Sequence, residues 1–197
     1  MARYRRLRTK GGSYFFTVAL ADRTSDFLTA NVDLIRAAYC ATQKAAPFQC
    51  DAFVLLPDHI HAVWTLPPGD DDFSIRWARF KAYISRRQPP SAVRSPSKIA
   101  RREKGLWQRR FWEHAIRDHE DYVRHVAYCW GNPVKHGLIA TPQEWPYSSF
   151  HRDVKRGVVP SDWTGVVDET NERSLNFPVG WASAHAARSL RSGNSVG

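Results

Sequence analysis

Two apolar runs separated by a single turn constrain this chain more than any other feature. FQCDAFVLL (48–56) and HIHAVWTL (59–66) are rich in aliphatic, β-branched and aromatic residues, and Pro57-Asp58 between them is a turn signal. The pair reads as a β-hairpin, which commits the chain to an antiparallel sheet. SYFFTVAL (13–20), following Gly11-Gly12, supplies an earlier strand, and RFWEHAIRD (110–118) a later one. Helical patterns fall between them. One covers 31–45, with Thr29 or Asn31 as its expected N-cap, and stops before Pro47. A second runs from Asp72 or Ser74 to about Arg87, with Trp77, Phe80 and Ile84 spaced as a buried stripe. A third covers 119–131 and is expected to end at Asn132-Pro133. The order strand–helix–strand–strand–helix–strand–helix predicts an α+β fold. It is a ferredoxin-like split βαβ antiparallel sheet of four to five strands with one additional helix. The expected organisation is a basic arm over 1–12, a main domain over 13–150, and an extension over 151–197 whose small, polar end (182–197) is expected to be disordered.

Charge indicates what such a domain meets. Its 197 residues carry a net charge of +10 and a pI of 9.9, while 43% apolar residues and eight Trp suffice for a core and exclude wholesale disorder. Residues 1–10 hold five basic side chains and no acid, and residues 76–110 hold twelve basic side chains against Glu103 alone. Such blocks suit a phosphate backbone, although plain solvated surface carries them too. The residues expected to contact DNA are Arg3, Arg5, Arg6, Arg86, Arg87, Arg101, Arg102, Lys104, Arg109 and Arg110. Several fall in 88–105, a Pro-containing stretch read as a long basic loop. No apolar run approaches the roughly 20 residues of a membrane helix. MARYRRLRTK lacks the apolar segment of a secretory signal. Cys40, Cys50 and Cys129, odd in number and widely spaced, form neither a disulfide framework nor a zinc cluster. A cytoplasmic protein with a nucleic-acid partner is expected.

Two short constellations bear chemistry. In HIHAVWTL, strand alternation puts His59 and His61 on one face about 7 Å apart along the chain, a spacing that suits one divalent cation. Tyr128 and Asn132 lie four apart and so share a helix face. Asn132 offers an amide oxygen suited to Mg²⁺ or Mn²⁺. Tyr128 offers a phenolic nucleophile. Either pair alone also fits ordinary packing. Together with the basic blocks they suit attack by tyrosine on a DNA phosphodiester. A DNA-binding module without catalysis, a metal-dependent hydrolase using water, and an RNA-binding protein are the competing readings. His114, Tyr83, Tyr122 and Tyr147 are read as structural, with Trp145 and Tyr147 anchoring the C-terminal segment onto the sheet.

PDHIHAVW (57–64), WQRRFWEHAIRD (107–118), YCWGNPVKHGL (128–138) and PQEWPYSSFHRDVKRGVVPSDW (142–163) occur in that order. Over residues 4–163 the chain resembles the REP-associated tyrosine transposases, a bacterial branch of the single-tyrosine HUH (His–hydrophobic–His, IS200-like) transposases. The resemblance implies His59 and His61 as metal ligands, Asn132 as a third, and Tyr128 as nucleophile on the additional helix. It further implies cleavage of single-stranded DNA beside palindromic hairpins, with Mg²⁺ or Mn²⁺ and a 5′-phosphotyrosine intermediate. The protein would act in the bacterial cytoplasm, associated with the nucleoid and away from membranes, as a monomer or homodimer.

Overall fold

A computed structural model describes residues 8–91 and 93–165. It divides into two compact units. One comprises the chain up to Asp51 together with Leu55–Ala115, the other Ala52–Val54 together with the chain from Ile116 onward.

The first unit is built on a four-stranded sheet of β1 (Ser13–Ala19), β2 (Gln49–Leu55), β3 (His59–Thr65) and β4 (Trp112–Ala115), in the order β2-β3-β1-β4. This is the antiparallel ferredoxin-like order, with four strands. Strand β1 runs antiparallel to β3 from Ser13↔Thr65 to Ala19↔His59, and to β4 from Tyr14↔Ala115 to Thr17↔Trp112. The hairpin closes around Pro57-Asp58, where the Leu56 N–H donates to the His59 carbonyl at 2.9 Å. Of the expected 110–118 strand only four residues pair.

Between β1 and β2 stand a one-turn helix α1 (Phe27–Ala30) and α2 (Val32–Ala45); after β3 comes α3 (Phe73–Arg86). Neither Thr29 nor Asn31 caps α2 through its side chain. Asn31 lies at the junction of the two helices and its amide donates instead to the Phe27 carbonyl at 2.8 Å. Asp72 does cap α3, accepting from the Ile75 N–H at 3.0 Å. The residues that alternate onto the helix side of the sheet, Phe16 and Trp64 among them, meet the α3 stripe. Trp64 and Trp77 stack with ring centroids 4.1 Å apart, Phe16 meets Trp77 edge-on at 5.6 Å, and Phe48 covers Trp64 at 4.1 Å. Arg76 is buried within the same helix. Its guanidinium is satisfied by Asp70 at 2.6 Å and by the carbonyls of Pro47 and Asp72. The stretch 88–105 is not wholly a loop, for a short helix α4 (Pro96–Ala100) forms inside it. Ser95 caps it and Pro96 opens it, the pairing of residues that starts helices elsewhere.

The second unit centres on α5 (His119–Lys135), capped by Asp118, whose carboxylate accepts from the Asp121 N–H at 2.8 Å. The helix does not end at Asn132-Pro133 as expected. Pro133 removes one N–H, but the turn continues to Lys135 and closes in a Schellman arrangement. Gly137, with φ of 66°, donates to the Val134 carbonyl at 2.9 Å, and Leu138 donates to that of Pro133 at 3.0 Å. The true stop signal is Gly137. A 3₁₀ turn (Pro142–Glu144) and α6 (Phe150–Lys155) follow, so the expected boundary after residue 150 falls inside a helix. Ser149 ties this segment together. Its hydroxyl accepts from Trp130 Nε1 at 2.9 Å and from the Phe53 N–H at 3.0 Å, while its own N–H donates to the Phe53 carbonyl at 2.8 Å. Trp130, Phe150 and Trp163 form a ring cluster with centroids 5.9–6.0 Å apart. Trp145 and Tyr147 meet edge-on, with ring centroids 5.5 Å apart. The tail expected over 182–197 and most of the arm over 1–12 lie outside the described residues. No described helix is long and apolar enough to cross a membrane.

Trp77 is fully buried against Trp64 and Phe16, so Trp77→Ala leaves a large cavity. Urea unfolding should show a loss of about 3–5 kcal/mol, a large share of an ordinary domain's stability.

Candidate nucleic-acid-processing site

The β1–β3 register decides what surrounds the histidines. Because Thr17 pairs with His61 and Ala19 with His59, the odd-numbered residues of both strands share the sheet face turned away from the α3 stripe. His59 and His61 are both buried there, with ring centroids 4.8 Å apart and planes nearly perpendicular. Phe15 stacks against the His61 ring at 5.4 Å and limits its rotation.

Each imidazole is held at the same atom. His59 Nδ1 lies 2.7 Å from Asp58 Oδ1, and His61 Nδ1 lies 2.9 Å from Thr17 Oγ1. A carboxylate only accepts, so the neutral His59 ring donates through Nδ1 and carries its lone pair on Nε2. The Thr17 hydroxyl, which can donate or accept, fixes the orientation of the His61 ring through the same atom. Two imidazoles oriented through Nδ1 are the usual arrangement of histidine ligands supported from behind. Asp58 is shared: Arg23 Nε donates to its second oxygen, and Arg23 Nη2 lies 3.4 Å from His59 Nδ1. Burial works to raise the Asp58 carboxyl. The hydrogen bond from His59, with the charge and hydrogen bond of the Arg23 guanidinium, outweighs burial and holds it below the usual carboxylate range.

Tyr128 and Asn132 lie on α5, one turn apart as their spacing requires. Tyr128 is half-buried, with the Lys135 ammonium 5.0 Å from its ring centroid. Asn132 is buried, and neither its amide oxygen nor its nitrogen has a hydrogen-bond partner among the described residues. A buried amide without such partners costs about 1–3 kcal/mol. The structure thus joins His59 with His61 in the first unit and Tyr128 with Asn132 in the second.

The expected DNA contacts divide by environment. Arg86, Arg101, Arg102 and Arg110 are exposed. Arg109 is exposed beside Glu103 at 3.5 Å. Arg87 is exposed but lies flat on Tyr83, its guanidinium 3.6 Å from the ring centroid, so Tyr83 is a half-buried support and no part of the apolar stripe. The Lys104 ammonium is turned inward to the Gln88 carbonyl at 2.6 Å and braces the loop after α3. Arg3, Arg5 and Arg6 lie outside the described residues. Sequence reasoning missed Asp58, Thr17 and Arg23. The turn signal at Asp58 masked its second role, and Thr17 reaches His61 only through a register that no local pattern reveals.

A ferredoxin-like sheet bearing a buried His–hydrophobic–His pair, followed by a helix with a half-buried tyrosine, defines an α+β domain of the HUH pattern. No family model matches the chain. It is 47% identical over 169 residues to a REP-associated tyrosine transposase of Haemophilus influenzae, covering 85% of this chain and 96% of that protein. It is 46% identical over 169 residues to the REP-associated tyrosine transposase of Escherichia coli K12, covering 86% and 94%. A solved REP-associated tyrosine transposase bound to a REP hairpin superposes with a TM-score of 0.74 at 46% identity, covering 86% of this chain and 94% of that one. The chain belongs to the REP-associated tyrosine transposase family.

The Asp58 ion pair can be read directly. A depressed folded-state value means that the carboxylate's contribution to stability is present at neutral pH and is lost as pH falls through that value. A carbon-detected NMR titration should find the Asp58 midpoint below the ordinary Asp range, and Arg23→Gln should move it upward. An unmoved midpoint would show that Arg23 does not hold Asp58 in solution.

Proposed function

We propose that this protein is a metal-dependent single-stranded DNA endonuclease and strand transferase that binds palindromic repeat hairpins in the nucleoid and cleaves beside them through Tyr128. The observation that carries the reading is the pair of buried imidazoles on one face of β3, each contacted from behind at Nδ1. The solved relative with a REP hairpin supports the substrate class, and the net charge of +10 suits it.

The residues fit a hard divalent cation. The imidazole nitrogens of His59 and His61 and the amide oxygen of Asn132 are donor types that Mg²⁺ or Mn²⁺ accepts, and they would hold the ion. When bound, the ion supplies charge neutralisation and in-line orientation at the scissile phosphate. Every other part of the reaction falls to the chain. Asp58 keeps the His59 ring in the ligating tautomer, and Thr17 fixes the orientation of His61. Tyr128 Oη gives up its proton to solvent and attacks phosphorus. The O–P bond forms as the bond to the 3′-oxygen breaks, and that oxygen takes up a proton from solvent, which leaves a free 3′-OH on one strand and a 5′-phosphotyrosine on the other. The covalent link conserves the bond for rejoining by the reverse attack. Lys135 places a cation beside the phenol ring, where negative charge gathers as the phosphate approaches. The exposed arginines of 86–110 hold the strand by its backbone.

Incubation with hairpin oligonucleotides and Mn²⁺, resolved on a denaturing gel, tests the chemistry. Wild type should give a DNA-shifted protein band that EDTA prevents and Tyr128→Phe abolishes. His59→Ala and His61→Ala should lose the band while hairpin affinity stays within a few fold. Hairpin binding with no adduct and no cut strand would make the protein a silent binder. Cleavage surviving Tyr128→Phe would assign the attack to water.

Neutralising Arg86 with Arg87, or Arg101 with Arg102, should weaken hairpin binding. Each lost phosphate contact should flatten the plot of log affinity against log salt by about 0.7–0.9. An unchanged slope would remove that pair from the interface.

A further inference from the structure

Trp112 stands apart from the other described tryptophans. Trp64, Trp77, Trp107 and Trp130 are buried, and Trp145 and Trp163 half-buried, whereas Trp112 leaves 53% of its surface to solvent. An indole is costly to leave in water, and an edge strand is a poor place for one unless something covers it.

Its position is set by the sheet. Strand β4 lies at the edge, beside β1, and Trp112 pairs with Thr17, the residue that pairs on its other side with His61. His61, Thr17 and Trp112 therefore form one row across three strands on one face, with about 10 Å between the ends of the row. The core-facing side of β4 belongs to Glu113, which is buried, so alternation fixes Trp112 on the histidine face. The ring is steadied from beneath: Phe15 meets it edge-on at 5.6 Å, and His114 lies nearly parallel to it, centroids 6.0 Å apart with planes 11° from coplanar. The same Phe15 stacks on His61, so one side chain braces both ends of the row. Exposed Arg109 and Arg110 stand three and two residues before it in the chain, cations of the kind that meet the phosphates of a bound strand.

We propose that Trp112 is a stacking platform for an unpaired base of the single-stranded DNA flanking the hairpin, close to the phosphate that the histidines serve. The inference rests on the function proposed above and adds the residue that receives the flank. A braced, half-exposed indole beside two arginines matches single-strand binding sites, where stacking tolerates any base. Its role is to hold the strand in line so that the scissile phosphate falls over the histidines.

Fluorescence anisotropy in EDTA, which prevents cleavage, tests this with a palindromic hairpin carrying unpaired extensions at both ends and the same hairpin trimmed flush. Trp112→Ala should weaken binding of the extended hairpin about 5- to 150-fold and leave the trimmed one unchanged, while Trp112→Phe should stay near wild type. A 2-aminopurine in the extension should be quenched by wild type and not by Trp112→Ala. Unchanged affinity of Trp112→Ala for the extended hairpin would overturn the proposal, and so would equal weakening for both hairpins, which would make the residue structural. A wild type that binds both hairpins equally would overturn it too, while hairpin binding stood. Wild type binding neither would bring down the hairpin reading itself, and this proposal with it.

Discussion

The pairing of β1 with β3 is the interaction on which the remainder depends. Its register places Thr17 opposite His61 and Ala19 opposite His59, and a slip of one residue would exchange every side chain between faces. The histidines would then enter the aromatic layer around Trp64 and Trp77, and Phe16 would face the opposite way. The cost of moving that much aromatic surface into water far exceeds any local gain, so burial on one face enforces chemistry on the other. The two faces are one decision made once.

Around that register the charged groups follow a consistent division. Arg76, needed for the fold, is buried and satisfied by Asp70 and Pro47. Those free to meet a polyanion stand on the 86–110 stretch or remain exposed beside it. Lys104 crosses the division. It belongs by sequence to the basic stretch and by geometry to the brace after α3. Counting basic residues overstates a binding surface wherever a carbonyl inside the protein has already claimed the ammonium.

The sheet and the histidine pair were legible in the sequence because period-2 alternation is a local signal and the Pro57-Asp58 turn punctuates it. The placement of Tyr128 and Asn132 on one helix was legible for the same reason, from a spacing of four. The end of α5 was misread because Asn-Pro is a local stop, whereas the helix continues by burying Asn132 and Pro133 and closing at Gly137. The α4 turn was hidden because five residues are too few to show a period amid prolines and cations. Contacts between residues far apart in the chain, such as Thr17 with His61 or Arg76 with Pro47, leave no trace in any window; they exist only once the register does.

The anchoring of both imidazoles through Nδ1 has a consequence for the order of events in the cell. The rings are aimed by a carboxylate and a hydroxyl that are part of the fold, so the protein completes its architecture without waiting for an ion. On the proposed function, a site preorganised in this way would separate holding DNA from cutting it: occupancy of a repeat would become a break only when a small, common solute arrived. A fold complete before its ion would then act as a form of restraint.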